Sequence, residues 1–310
     1  MGLFSKKETL IQNMTFMGIF SAINVVISLL STILFAVATP ISILLIIVLP
    51  LTSTVVELFC KDKYYPIYLF STIGLSLVVT MWDMQNTIFY LIPSIFTGYI
   101  FGLLTKKRIS GIYSIIISAS IHTLLTYSFL PLLNLIYDVN FIDTLKTLLG
   151  FASIEKIDYI IPSLIFFISL IQIFLSFIIV NDEIKKIYPI NESIVVNEFV
   201  LVICSLITII LSIVFVFIYL PISFLLLIIS LYFTIGDMYF GFKKSIKMAL
   251  INLCASIVLF IVLLAIFYTR ITEPYNFMLL GILMLINNII SIVVSFLIKK
   301  YSTIKIKKQG

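Results

Sequence analysis

Long apolar blocks alternate with short polar gaps from one end of this chain to the other. Ten blocks can be marked, over 14–35, 41–59, 65–81, 88–104, 112–136, 159–180, 197–219, 221–240, 245–268 and 276–298. Each is near the roughly 20 residues that cross a hydrocarbon core as a helix. The pattern predicts an all-α, polytopic transmembrane helical bundle of about 10 spans.

The gaps give the orientation. Taken alternately, one set holds Lys6, Lys7, Lys61, Lys63, Lys106, Lys107, Arg108, Lys185, Lys186, Lys243, Lys244, Lys247, Lys299, Lys300, Lys305, Lys307 and Lys308. The other set holds only Lys146, Lys156 and Arg270. Short loops rich in Lys and Arg stay on the cytoplasmic side, so both termini are expected in the cytoplasm of a multi-pass cell-membrane protein.

Composition supports the class: 62% hydrophobic and 11% charged residues cannot make a soluble core with a wettable surface. The net charge of +6 sits in flanks that meet anionic lipid headgroups, with no basic domain to hold nucleic acid. Cys60, Cys204 and Cys254 show no metal or disulfide spacing and read as buried small apolar residues within or at the ends of spans. The run after Lys6 and Lys7 is too long for a signal-peptide core, so it is expected to be a retained helix.

No gap is long enough for a soluble domain. That from Tyr137 to Asp158 carries Asp138, Asp143, Glu155 and Asp158, with Phe141, Leu145, Leu148 and Leu149 at helical spacing. It reads either as an amphipathic helix on the outer surface or as a solvated loop. A faint repeat relates the segment from Pro40 to that from Pro221, which would make parallel copies unless it is coincidence.

Chemistry for catalysis is scarce. One histidine, His122, cannot form a HExxH site, and neither a GxSxG elbow nor a phosphate-binding GxxxxGK[ST] loop occurs. Glu57 and Asp237 are the carboxylates inside spans, each near a cytoplasmic end, and Glu198 sits at the cytoplasmic boundary where span seven starts, so no buried acidic pair is formed. The chain is therefore expected not to be an enzyme, and no cofactor or metal is called for.

The interior offers uncharged polar groups instead: Asn24, His122, Gln172, Asn252, Asn287 and Asn288. Each would be costly against lipid, so each should point into the bundle, for interhelical hydrogen bonding or for a ligand. At the outer ends of spans three and four, Thr80, Trp82, Asp83, Gln85, Asn86 and Tyr90 gather amides, an acid and aromatic faces. The mixture suits a small polar or aromatic ligand, and it equally suits an interfacial aromatic belt. Trp82, Asp83, Asn86, Tyr90 and His122 are the candidate ligand-binding residues.

Span four carries Gly98 and Gly102 four apart, and span one carries Gly18 and Ala22 at the same spacing. Faces of this kind let another backbone approach closely. The small-residue face of the first helix, the early proline hairpin at Pro40 and the run Tyr90-Leu91-Ile92-Pro93 to Gly98-Tyr99-Ile100-Phe101-Gly102-Leu103 ending in Lys106 and Lys107 resemble the substrate-binding S components of energy-coupling factor (ECF) vitamin transporters. In length the chain is more similar to the related YybS-like membrane proteins.

The resemblance covers about residues 10–180, so it implies a six-helix S-component-like membrane domain over 1–180 and an additional four-helix region over 181–310. It also implies a binder of a vitamin or other micronutrient small molecule, with partners in the form of an ECF coupling (T) subunit and two ATPase subunits. Gly18 and Ala22 would be the docking face toward the coupling subunit, with glycine at 18 in place of the family's usual alanine. The different-class alternative is a non-transport scaffold or assembly protein, in which the same faces and amides serve packing.

Overall fold

In the computed structural model, the described residues are 6–37, 39–85, 87–138, 140, 142–143, 161–184, 186, 196, 198–244 and separate positions between 246 and 293. Side chains over 35–47 and 241–245 are not among them. Every described element is a helix: α1 (Leu10–Val37), α2 (Thr39–Phe59), α3 (Tyr65–Val79), α4 (Ile92–Lys106), α5 (Gly111–Tyr137), α6 (Ile161–Ile179), α7 (Glu198–Val216) and α8 (Leu220–Lys244). A single π-helical turn, Thr87–Leu91, leads into α4, and another, Val180–Ile184, follows α6.

Among the described residues, six stretches are long and apolar enough to cross a bilayer: Leu10–Leu34, Thr87–Lys106, Gly111–Tyr137, Ile161–Ile184, Phe199–Val216 and Leu220–Phe240. The molecule is thus an all-α protein built for a membrane. α3, with 15 residues, is about 22 Å long, shorter than a full hydrocarbon core. The expected outer helix of 137–158, the spans 245–268 and 276–298, Asn86 and Asn252 fall wholly or largely outside the described residues.

Helix boundaries follow local chemistry. Pro40 and Pro221 each stand in the first turn, where a missing N–H costs nothing. Pro66 and Pro93 do the same for α3 and α4. α5 ends at Asp138, whose left-handed backbone (φ 50°) stops the helix.

The chain divides into two compact units, one of Met1–Ile157 with Leu164–Val195 and one of Asp158–Ser163 with Val196–Gly310. In the first unit, α2 packs on α1 and α4, α4 on α5, and α3 on α1. The α2–α4 seam is set by two glycines. A Cβ at Gly98 would stand 2.4 Å from the Pro50 carbonyl oxygen and 2.5 Å from Ser53 Cβ. A Cβ at Gly102 would stand 2.7 Å from Glu57 Cβ. The GxxxG face of α4 is therefore a packing face, and the two backbones touch because no side chain intervenes.

The second unit has the same device in hydroxyl form. Ser212 Oγ donates to the Ser223 carbonyl (2.9 Å), and Ser223 Oγ donates to the Ser212 carbonyl (2.9 Å), which fixes α7 against α8. Asn288 donates to Ser205 Oγ at 2.7 Å, and Ser205 stands 3.0 Å from Thr234 Oγ1.

The glycine seam makes an asymmetric prediction. Gly98→Ala forces a backbone shift and is expected to cost about 1–3 kcal/mol. Gly74→Ala, with nothing within 4 Å of its Cβ, should leave stability unchanged or slightly raised. Thermal unfolding of both variants in detergent checks this; equal melting temperatures would refute the seam.

Candidate functional site

Among the described residues, three polar groupings lie inside the first unit. The first joins α1, α2 and α3. Asn24 Nδ2 donates to Tyr68 OH at 2.6 Å, Thr52 Oγ1 donates to Asn24 Oδ1 at 2.5 Å, and Ser53 Oγ stands 3.2 Å from the same tyrosine oxygen. One turn along, Thr72 Oγ1 donates to Ser21 Oγ at 3.0 Å. Toward the other end, Thr87 Oγ1 bridges Ser28 (2.9 Å) and Thr80 (2.8 Å). Asn24, Ser53, Tyr68, Thr72, Thr80 and Thr87 are all fully buried. Partners occur at each level, so this grouping holds helices together.

The second grouping closes the end of the unit where α2 and α4 finish. Lys106 donates to Glu57 Oε1 at 2.7 Å, to Asp62 Oδ1, and to the Cys60 carbonyl at 3.3 Å. Glu57 is 1% exposed and Asp62 55% exposed, so one ammonium couples a buried carboxylate to a surface one. The N-terminal segment clasps the same corner. Lys7 N donates to the Phe59 carbonyl (2.9 Å), Asn13 Oδ1 accepts from Lys61 N (2.9 Å), and the Lys7 ammonium sits 4.9 Å over the Phe16 ring.

Partial burial works against ionisation of Asp62, but the hydrogen bond and charge of Lys106 outweigh it and hold the carboxyl below the usual range. Burial pushes the Cys60 thiol up to about 12, so it stays protonated and unreactive near neutral pH. Cys204 is half-buried and Cys254 exposed, so of the three free cysteines only Cys60 fits the expectation of a buried small residue.

The third grouping surrounds His122 on α5, where the imidazole is 3% exposed. Its Nδ1 stands 2.6 Å from Ser169 Oγ on α6 and 3.5 Å from Thr126 Oγ1. Its Nε2 faces Ser94 Oγ, at the start of α4, at 3.5 Å. The Ser169 hydroxyl also lies 2.7 Å from the Ile165 carbonyl. The imidazole thus meets hydroxyls from α4, α5 and α6, with no carboxylate among its hydrogen-bonding partners here. Nearby, Gln172 and Ser118 are fully buried, and neither amide atom of Gln172 nor the Ser118 hydroxyl has a hydrogen-bond partner among the described residues.

The remaining residues expected from sequence are spread along the α3–α4 connection. Trp82 is 65% exposed, Asp83 is half-buried and accepts from Gln85 Nε2 at 3.2 Å, and Asn86 is outside the described residues. Tyr90 is half-buried, edge-on to Phe89 with ring centres 4.8 Å apart. Ser94, which faces His122, follows Tyr90 by four residues, while no hydrogen bond among the described residues joins Trp82 or Asp83 to His122. Of the mid-span polar residues, Asn24, His122, Gln172, Asn287 and Asn288 are buried as expected.

Gly18 and Ala22 lie on the exposed side of α1, and nothing stands within 4 Å of a Cβ built at Gly18. Gly98 and Gly102 face α2, so the two small-residue faces of the sequence part company.

Two features escaped sequence reasoning. Tyr68 and Thr52 complete the Asn24 network, yet neither stands out in so apolar a chain. The Glu57–Lys106 bridge did have a signal: the two opposite charges end spans two and four, hence on the same membrane side. No family model, curated protein or solved structure matches the chain.

Removing Lys106 strands a buried carboxylate. Lys106→Met is expected to cost about 3–5 kcal/mol, and Glu57→Gln in the same chain to restore much of it. Additive losses in a double-mutant cycle of melting temperatures would deny the coupling. Asp62 gives a pH signature, because its folded value is lowered. Its contribution is full above the unfolded value of about 4 and is lost as pH falls through the folded value. The stability gap between wild type and Asp62→Asn should therefore close on acidification below about pH 4.

Proposed function

We propose that this chain is the substrate-binding membrane subunit of a micronutrient, vitamin-type uptake system powered by partner ATPases. The observation that carries the reading is the bare small-residue face of α1, Gly18 and Ala22, on a unit built of α1 to α6. A glycine and an alanine one turn apart and open to the surroundings let a partner helix approach at backbone distance. In this reading the partner is an ECF coupling subunit, which brings the two ATPases.

The uncharged polar grouping around His122 supplies the substrate end, below the connection that carries Trp82, Asp83 and Tyr90. An imidazole among hydroxyls can donate and accept without holding net charge, which suits a polar solute that must later be released. The reading includes ten spans, cytoplasmic termini and residence in the cell membrane, supported by the Lys and Arg distribution between the gaps.

A second reading, a non-transport scaffold or assembly protein, is favoured by the bonded networks at Asn24–Tyr68–Thr52 and Ser205–Asn288. Those amides are occupied in holding helices, as a scaffold needs.

Affinity purification in mild detergent, with mass spectrometry of proteins and retained small molecules, separates the two. The transport reading expects a coupling subunit with its ATPases, lost in the Gly18→Leu/Ala22→Leu variant without a change in melting temperature. Recovery of envelope proteins alone, or unchanged assembly of the variant, would favour the scaffold. Trp82 offers a second readout, as the one tryptophan of the chain: its fluorescence should change when the retained compound is added back to the purified protein.

A further inference from the structure

Three charged side chains meet where α2 and α4 finish, and their signs do not balance. Lys106 Nζ donates to Glu57 Oε1 at 2.7 Å and to Asp62 Oδ1, so two carboxyl groups share one ammonium. With both carboxyls ionised, one positive charge stands against two negative ones.

The excess falls on the dry side. The Glu57 side chain is 1% exposed, whereas that of Asp62 is 55% exposed and keeps water around it. Glu57 Oε2 has no hydrogen-bond partner among the described residues, so an ionised Glu57 would bury half its charge with neither donor nor water. A neutral carboxyl loses far less by the same burial. Ser76, Ser118 and Gln172 also carry unpaired buried atoms, but those groups have no proton to exchange near neutral pH. Glu57 differs in kind, because Lys106, itself 21% exposed, and Asp62 link it to the surface.

The surroundings supply no second cation. Lys106 and Asp62 are the charges that act on Glu57 among the described residues. α1 carries no titratable side chain. α3 and α4 bring the phenols of Tyr65 and Tyr99, and the end of α2 brings the Cys60 thiol, all neutral near neutral pH. From the N-terminal segment, the Lys7 ammonium acts on Cys60 and lies over the Phe16 ring.

We propose that the Glu57–Lys106–Asp62 triad is a binding site for one exchangeable proton, taken up on Glu57 from water by way of the exposed Lys106 and Asp62. With the proton in place the triad is neutral: Lys106 pairs with ionised Asp62, and Glu57 still offers Oε1 as an acceptor. When the proton returns to water, the ammonium is divided between two anions. Against partial burial, the hydrogen bond and charge of Lys106 hold Asp62 ionised, so Asp62 does not compete for the proton. The site stands whichever of the two functional readings above is correct.

The test is infrared difference spectroscopy of the purified full-length chain in detergent, from about pH 9 to about pH 5, above the titration of ordinary carboxyl groups. A protonated-carboxyl band should grow in as pH falls, and Glu57→Gln should remove it. Asp62→Asn leaves the ammonium to Glu57 alone, so the midpoint should fall by at least about one pH unit, a tenfold loss of proton affinity. Lys106→Met takes the cation away, so the midpoint should rise by a similar amount. A residue that merely packs would not shift in opposite directions on losing its two neighbours.

Absence of a Glu57-dependent band in this range would overturn the proposal. So would a midpoint that Asp62→Asn leaves in place, or one that both variants move the same way. Asp62→Asn, a change at the surface, decides the matter by itself if Lys106→Met does not fold.

Discussion

Hydrocarbon accepts no hydrogen bond, so every polar group carried into a membrane span must find its partner inside the protein. The first unit is arranged around that requirement. Asn24, Thr52, Ser53 and Tyr68 pair at mid-depth, Ser21 with Thr72 on one side and Ser28, Thr80 and Thr87 on the other, so α1, α2, α3 and the lead into α4 are tied at successive levels. Each such bond contributes a modest ~0.6 kcal/mol in membranes. A slipped register would instead leave several buried groups unpaired, each at a much larger cost. The network therefore specifies the alignment of helices more than it adds to total stability.

Close backbone approach complements this. Gly98 and Gly102 bring α4 onto α2, where Thr54 Oγ1, directed at the Pro50 carbonyl at 2.8 Å, also lies 3.2 Å from the Gly98 carbonyl. The same approach places Glu57 against Gly102 and within reach of Lys106, so one seam fixes both the packing and the ion pair. Not every buried polar group is served: Gln172, Ser118 and, on α3, Ser76 carry buried atoms with no hydrogen-bond partner among the described residues.

Several particulars were readable in the sequence. The apolar blocks locate α1 to α8 to within a few residues, and the first-turn prolines at 40, 66, 93 and 221 mark where helices start. The depth argument also put Asn24, His122, Gln172 and Asn288 inside. The finer site was not readable. Trp82 and Tyr90 lie eight positions apart in sequence, yet one is exposed and the other half-buried, because the turn after α3 leads the chain away before the π-helical turn returns it to the bundle.

What the sequence determined alone is the helical, membrane-embedded class, because hydropathy over about 20 residues is a sum that needs no knowledge of neighbours. Which small-residue face is buried, which amide is paired and which carboxylate meets which lysine are properties of pairs of helices. Gly98 and Gly18 sit in similar local sequence, but one is filled by α2 and the other is bare. Asn24 and Gln172 have the same chemistry and full burial, but only one has its complement across the interface. Hydrogen bonds and close contacts act over a few ångströms between residues tens of positions apart, so only the tertiary structure could decide them.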